Sequence, residues 1–195
     1  MTNLATALMR TGQTESSATM QRQALEIAIT SFGPDHARTG LLRNNLATAL
    51  LKLRQFDQAI ALLEANYEAM RKLGAEGLQL RAMSAGNLGG ALAEKGDAAA
   101  ARIWLARADA ETRAAFRPDH TQRINTAWLY GQFLLRQRAE LPLARTLLRD
   151  AGRQVLVRAG GSRDFDARAR QELNGFTVVF RDQVRAAWRL SRPDA

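Results

Sequence analysis

Asn45-Leu46-Ala47-Thr48-Ala49-Leu50 decides the fold, because the same six residues stand 42 positions earlier at Asn3-Leu4-Ala5-Thr6-Ala7-Leu8. A further 42 positions along, the chain reads Asn87-Leu88-Gly89-Gly90-Ala91-Leu92. A second marker keeps the same beat: Phe32-Gly33-Pro34-Asp35-His36 returns two periods later as Phe116-Arg117-Pro118-Asp119-His120. Self-similarity at a fixed period of this size signals a repeat array, in which each unit supplies one supersecondary element and neighbours bury a shared core.

Outward from that stretch, each period divides into two apolar stripes. In the second period Leu41, Leu42, Leu46, Ala49, Leu50 and Leu53 form one stripe, Arg54-Gln55-Phe56-Asp57 interrupts it, and Ala59, Ile60, Leu62, Leu63, Tyr67 and Met70 form the other. Recurrence at three and four residues is the pattern of an amphipathic helix, and no apolar stretch alternates with the period of two that a half-buried strand needs. The spacing therefore predicts helix, tight turn, helix. In the loops between units, glycine suits a positive φ at a helix C-cap, proline suits a first helical turn, and aspartate is a candidate cap for the following helix. His36 and His120 stand in these loops with no neighbouring histidine or cysteine. Helix capping or loop packing is expected of them, since a metal site needs several convergent ligands.

The Asn-Leu-Ala-x-x-Leu stripe, the turn, the alanine that opens a second helix and the Phe-Gly-Pro-Asp-His loop together resemble the tetratricopeptide repeat in its long, kinesin-light-chain-like form. The ordinary repeat has about 34 residues, so the longer unit adds roughly one turn to each helix at 3.6 residues per turn. The resemblance runs from residue 3 to about residue 159. It implies an all-α, right-handed α-solenoid of helix–turn–helix repeats with a C-terminal capping helix. The units are placed at about 1–36, 37–77, 78–120 and 121–161 and the cap at about 164–190, all within a single domain spanning 1–195.

The units differ in instructive ways. The first has its second helix over about 14–31 and a shortened first helix, from which a fragment or C-terminal part of a longer array is expected. The second ends in Leu73-Gly74-Ala75-Glu76-Gly77 in place of the Pro-Asp-His signature. The third carries Gly89-Gly90 inside its first helix; a glycine pair there costs on the order of 1–2 kcal/mol against alanine, so close packing or ligand approach is expected. In the fourth, Leu129 replaces the repeated asparagine and the alanine of the second helix, Ala144, arrives one residue late, the turn ending at Pro142 absorbing the extra residue. Beyond Ala159-Gly160-Gly161-Ser162, the residues Phe165, Leu173, Phe176, Val179, Phe180, Val184 and Trp188 fall at helical spacing with arginines opposite. This segment is the expected cap, bent near Asn174-Gly175.

Hydrophobic residues make up 46% of the chain and charged residues 24%, as in a soluble packed protein, and no run of eighteen apolar residues occurs. Met1 is followed directly by repeat-like sequence with no export signal, so a cytoplasmic location is expected. There is no cysteine, hence no disulfide or thiolate chemistry. The formal charge of +9 comes almost wholly from arginines interleaved with Asp and Glu. A dedicated nucleic-acid binder would show a basic block or stripe. That alternative requires Arg145, Arg149, Arg153, Arg168, Arg181, Arg185 and Arg189 to converge on one face.

No phosphate-cradling glycine loop, His-Glu-x-x-His, Gly-x-Ser-x-Gly or kinase signature occurs. Acidic pairs such as Asp164 and Asp166 suit caps and solvated faces. No catalytic residue, metal site or cofactor is assigned, and no enzymatic activity is expected. The resemblance implies instead a non-catalytic protein–protein interaction module that binds a peptide or protein segment in a concave groove lined by the first helix of each unit. Carried onto this chain, the repeated asparagine is Asn3, Asn45 and Asn87, and the position seven residues on is Arg10, Lys52, Glu94 and, in the fourth unit, Arg136. Neighbouring groove positions are Asn44, Thr48, Met83, Asn125, Trp128 and Gln132. An amide can donate to and accept from a peptide backbone, and it can equally brace adjacent helices. The cations favour a partner with acidic residues or a free carboxylate. Family habit adds the expectation of a module within a larger bacterial signalling protein such as a serine/threonine kinase, and self-association through the shortened first repeat is the remaining alternative.

Overall fold

The structure, a computed structural model, describes residues 7–8, 11–160 and 173–191. Asn3, Arg10, Phe165, Arg168, the Asp164/Asp166 pair and the first part of the expected cap lie outside the described residues. The described helices are α1 (Thr14–Phe32), α2 (Ala37–Lys52), α3 (Phe56–Lys72), α4 (Leu78–Lys95), α5 (Ala98–Ala115), α6 (Thr121–Arg136), α7 (Leu141–Gly160) and α8 (Thr177–Ser191). No strand occurs among the described residues. The fold is the all-α helical-repeat solenoid that the 42-residue period predicts. By backbone proximity the chain divides into two compact units, Met1–Glu111 and Thr112–Ala195.

In the first unit α1 packs on α2, α2 on α3 and α3 on α4, while α2 also reaches α4 directly, one first helix against the next. The core is built of leucine and alanine: Leu46, Ala47, Ala49 and Leu50 of α2, Leu63 and Met70 of α3, and Ala82, Ala85 and Leu88 of α4 are all buried. Leu41 departs from the expected stripe and is 42% exposed. Alanines admit close helix approach, and Gly89 takes this further, since a Cβ there would lie 2.7 Å from Cγ of Leu105 on α5. Tyr67 of α3, also in the core, meets Trp104 of α5 edge-on at 4.9 Å, and its hydroxyl donates to Glu111 Oε1 at 2.7 Å. Arg81 Nε lies 3.2 Å from the same oxygen, close enough to pair by charge but not oriented for a hydrogen bond.

In the second unit α6 packs on α7 and α7 on α8, with a lesser contact of α6 with α8. Gly131 stands one period after Gly89, and a Cβ there would meet Leu148 Cγ at 2.8 Å. The leucine is one residue later than the period requires, matching the late Ala144. The turn between the paired helices shows how the extra residue fits. Positions 12, 54, 96 and 138 share one register, and all four are left-handed: Gly12 (φ 84°), Arg54 (59°), Gly96 (97°) and Arg138 (53°). Glu140 adds a second left-handed residue (φ 45°) in the fourth unit alone.

In the two loops that carry the Pro-Asp-His motif, histidine and not the neighbouring aspartate caps the helix that follows. His36 and His120 precede α2 and α6 in extended conformation, and their Nδ1 atoms accept from the backbone N–H of Arg38 and Gln122, each at 3.1 Å. Each ring stacks on the phenylalanine of its own motif, Phe32 at 5.1 Å and Phe116 at 4.3 Å. Asp35 instead pairs with Lys72 at 2.9 Å.

Helix α8 follows a turn at Phe176, close to the expected bend, but its inner face is not the expected one. Val179, Asp182 and Ala186 are buried, whereas Val184 is 69% and Trp188 56% exposed. A stripe at i, i+3 and i+7 occupies about a third of the helix circumference, and positions 184 and 188 fall near its far side. An aspartate within the buried stripe is admitted because it is fully partnered there.

Candidate partner-binding face

The first helices carry the candidate groove residues, and in the first unit these are α2 and α4. Asn44 is 2% exposed and donates through Nδ2 to Ser84 Oγ at 3.2 Å and to the Leu80 carbonyl at 3.4 Å. Its Oδ1 accepts from Asn87 Nδ2 at 3.2 Å. Asn66 of α3 joins the network, donating to Ser84 Oγ at 2.9 Å and to the Gly40 carbonyl at 3.0 Å. Buried amides without partners would cost about 1–3 kcal/mol each, so these bonds fix how three helices sit together. Asn44 is thus enclosed as a brace, and Asn87 is half-buried beside it. Asn45 and Thr48 are half-buried, Thr48 donating to the Asn44 carbonyl at 2.9 Å, and Lys52 is exposed. Met83 is half-buried and Glu94 exposed.

Arg43, beside this network, is nearly buried and donates to the Pro34 carbonyl at 2.6 Å, tying α2 to the loop before it. Burial pulls its guanidinium below the usual value, and nearby Asp35 partly offsets this.

In the second unit Asn125 is exposed, while Trp128 and Gln132 are half-buried on α6. Trp128 Nε1 donates to Asp182 Oδ2 at 3.0 Å and Gln132 Nε2 donates to the same oxygen at 2.9 Å. Gln132 Oε1 accepts from Arg136 Nη2 at 2.7 Å, leaving Arg136 exposed at the end of the row. Asp182 is 1% exposed, with Arg185 Nη1 at 3.5 Å and Arg181 Nε at 3.8 Å from its other oxygen. Arg189 donates through Nη1 to the Leu135 carbonyl. Trp128 lies two periods after Asn44, so the two residues share a register and both link a first helix to the helix packed beyond it. All three described arginines of α8 thus have a partner in this seam, Arg181 and Arg185 at Asp182 and Arg189 at Leu135.

Of the candidate residues, the structure brings Asn44 together with Asn87, and Trp128 with Gln132 and Arg136. Asp182 and Ser84 were not singled out from sequence. For Asp182 a signal exists, an acid in the middle of an apolar stripe; Ser84 is an unremarkable small polar residue and carries none. No group of three or more potential metal ligands occurs among the described residues, and no described helix is long and apolar enough to cross a membrane.

Residues 1–72 match the sequence profile of the tetratricopeptide repeat. No curated relative matches the chain. Among solved structures, the kinesin-light-chain TPR-like repeats of Podosopora anserina superpose with a TM-score of 0.66 at 18% identity, over 99% of this chain and 94% of that one. A single-substitution variant of that protein gives 0.67 at 20% identity, over 99% and 95%. BtubC (BKLC) from P. vanneervenii gives 0.68 at 22% identity, over 82% of this chain and 63% of its own.

Proposed function

Because residues 1–72 match the tetratricopeptide-repeat profile and the fold is similar to kinesin-light-chain TPR-like repeats, we propose that the chain is a non-catalytic interaction module that takes a protein or peptide segment along the face of its first helices. The observation that carries this reading is the seating of Asp182 on α6. Two neutral donors, Trp128 and Gln132, receive a carboxylate delivered by a separate helix, with Arg136 next in line. Charge-assisted bonds of this kind contribute about 1.5–3 kcal/mol each, and they favour an acidic segment as the partner. In the first unit Asn45, Thr48 and Lys52 offer the same mixture of amide, hydroxyl and cation on partly open surface, with Asn87 half-buried nearby; Asn3, Arg10 and, in the second unit, Asn125 belong to the proposed set by their place in the repeat. A cytoplasmic place within a larger signalling protein, for example beside a serine/threonine kinase domain, agrees with the habit of the family.

The test is selection of displayed random peptides on the full chain, counter-selected on Asn45→Ala and Lys52→Glu. Acidic segments should be enriched on the parent, should lose affinity as salt rises and should be lost from both variants. Enrichment without acidic bias, or equal retention by both variants, would overturn the reading.

A further inference from the structure

We propose that a cleft in the second unit, on the side of α7, is a binding site for a phosphoryl group. The cleft has a volume of about 420 Å³ and is lined by Arg113, Arg123, Arg149 and Arg153, with Thr146 and Asp150 among its other walls. That volume lies within the range of small-ligand sites, roughly 300–1,000 Å³. It shares no residue with the first-helix face described above.

The charge of the cleft is not balanced from within. Arg123 and Arg149 line the cleft beside one carboxylate, Asp150, and that carboxylate is already engaged by Arg153 Nη2 at 2.6 Å. Arg149 stands exposed on α7 one turn from Arg153, with no acceptor among the described residues. Arg123 is half-buried, and its Nε is buried with no hydrogen-bond partner. Its place is not explained by helix stability either. It lies in the first turn of α6, where the helix dipole favours anions and disfavours cations. Buried N–H groups that lack acceptors, and like charges gathered against their own repulsion, are both relieved by an anion rich in oxygens.

The chemistry selects a phosphoryl group over a carboxylate. A terminal phosphate carries a charge of about −1.5 to −2 and three acceptor oxygens, whereas a carboxylate has two oxygens and one charge. The planar guanidinium fork matches phosphate oxygens two at a time. The Thr146 hydroxyl donates to the Pro142 carbonyl at 2.9 Å and brings no charge to the cleft wall.

The experiment is calorimetric titration of the full chain with inorganic pyrophosphate at physiological ionic strength. A saturable single site is expected, and Arg149→Gln and Arg123→Gln should each weaken it by about tenfold or more, the loss of one charge-assisted contact. Arg22→Gln, in the first unit, should leave it unchanged. Arg149 is exposed, so its variant folds whether or not Arg123→Gln does. Absence of saturable binding, or equal losses in all three variants, would overturn the proposal. A neutral peptide with one phosphoserine then separates the sources: tighter binding than pyrophosphate identifies a modified protein segment, and weaker binding a free phosphate compound. Equal binding of the same peptide with glutamate in place of phosphoserine, or tighter binding of an oligonucleotide that Arg22→Gln also weakens, would refute it.

Discussion

Trp128 on α6 and Asp182 on α8 are joined by a 3.0 Å bond from the indole N–H to a carboxylate that is 1% exposed, and Gln132 donates to the same oxygen. The first helix of the fourth repeat therefore receives α8 as it would receive the first helix of a further repeat. Replacing Asp182 by alanine leaves two donors without an acceptor and should cost about 2–4 kcal/mol, the sum of lost charge-assisted bonds and unmet polar groups. Asp182→Asn should cost less, because one amide oxygen remains. Urea denaturation checks both, and equal midpoints for the parent and Asp182→Ala would mean that the bond holds nothing.

Helix boundaries were legible because the period repeats the signals that set them. Thr14, Ala37 and Leu78 begin their helices where the repeat spacing places them. The brace formed by Asn44, Asn87, Ser84 and Asn66 was not legible, because a buried asparagine and a ligand-facing asparagine look alike in a sequence. What separates them is the distance between helices, and here that is set by Gly40 of α2, where a Cβ would lie 2.7 Å from Met70 Sδ and 3.1 Å from Asn66 Oδ1 of α3. The outer face of α8 was misread for a related reason: Phe180, Val184 and Trp188 suggest one stripe, yet the polar Asp182 outweighs them once Trp128 is there to meet it.

The shared left-handed position in the helix–helix turns yields a second prediction. Glycine occupies it at Gly12 and Gly96, whereas Arg54 and Arg138 hold it at the cost that a Cβ imposes there, about 1 kcal/mol. Arg138→Gly should accordingly stabilise the chain by about 0.5–1 kcal/mol, and Gly96→Ala should destabilise it by about 1 kcal/mol. Thermal melts with opposite shifts would bear this out; shifts of the same sign would count against the strain account.

His36 and His120 give a third. Each caps a helix through Nδ1 and stacks on a phenylalanine. Loss of a cap costs about 1 kcal/mol, so His36→Ala should lower stability by at least that amount. His36→Asp should recover the cap but not the stack. If the aspartate variant is no more stable than the alanine variant, capping is not what the histidine contributes.

The fourth prediction concerns alkaline pH and the Tyr67 hydroxyl. Burial raises its pKa above the usual value, and the bond to Glu111 and the charge of that carboxylate raise it further, against smaller opposing effects of Arg107 and Arg81. The native state therefore holds this proton more tightly than the unfolded chain does. A group with a raised native pKa contributes stability that is complete below its unfolded value, about 10 for tyrosine, and that is lost as pH climbs towards the native value. Tyr67→Phe removes both the bond and the titration. At neutral pH the variant should be less stable by about 1 kcal/mol. Between about pH 9 and pH 11 the parent should lose stability faster, so the two curves converge. Tyr130 and the lysines are common to both proteins and cancel in the difference. Curves that stay parallel over this range would show that Tyr67 ionises as readily in the folded protein as in the unfolded one, and that its bond to Glu111 does not stabilise the protonated form.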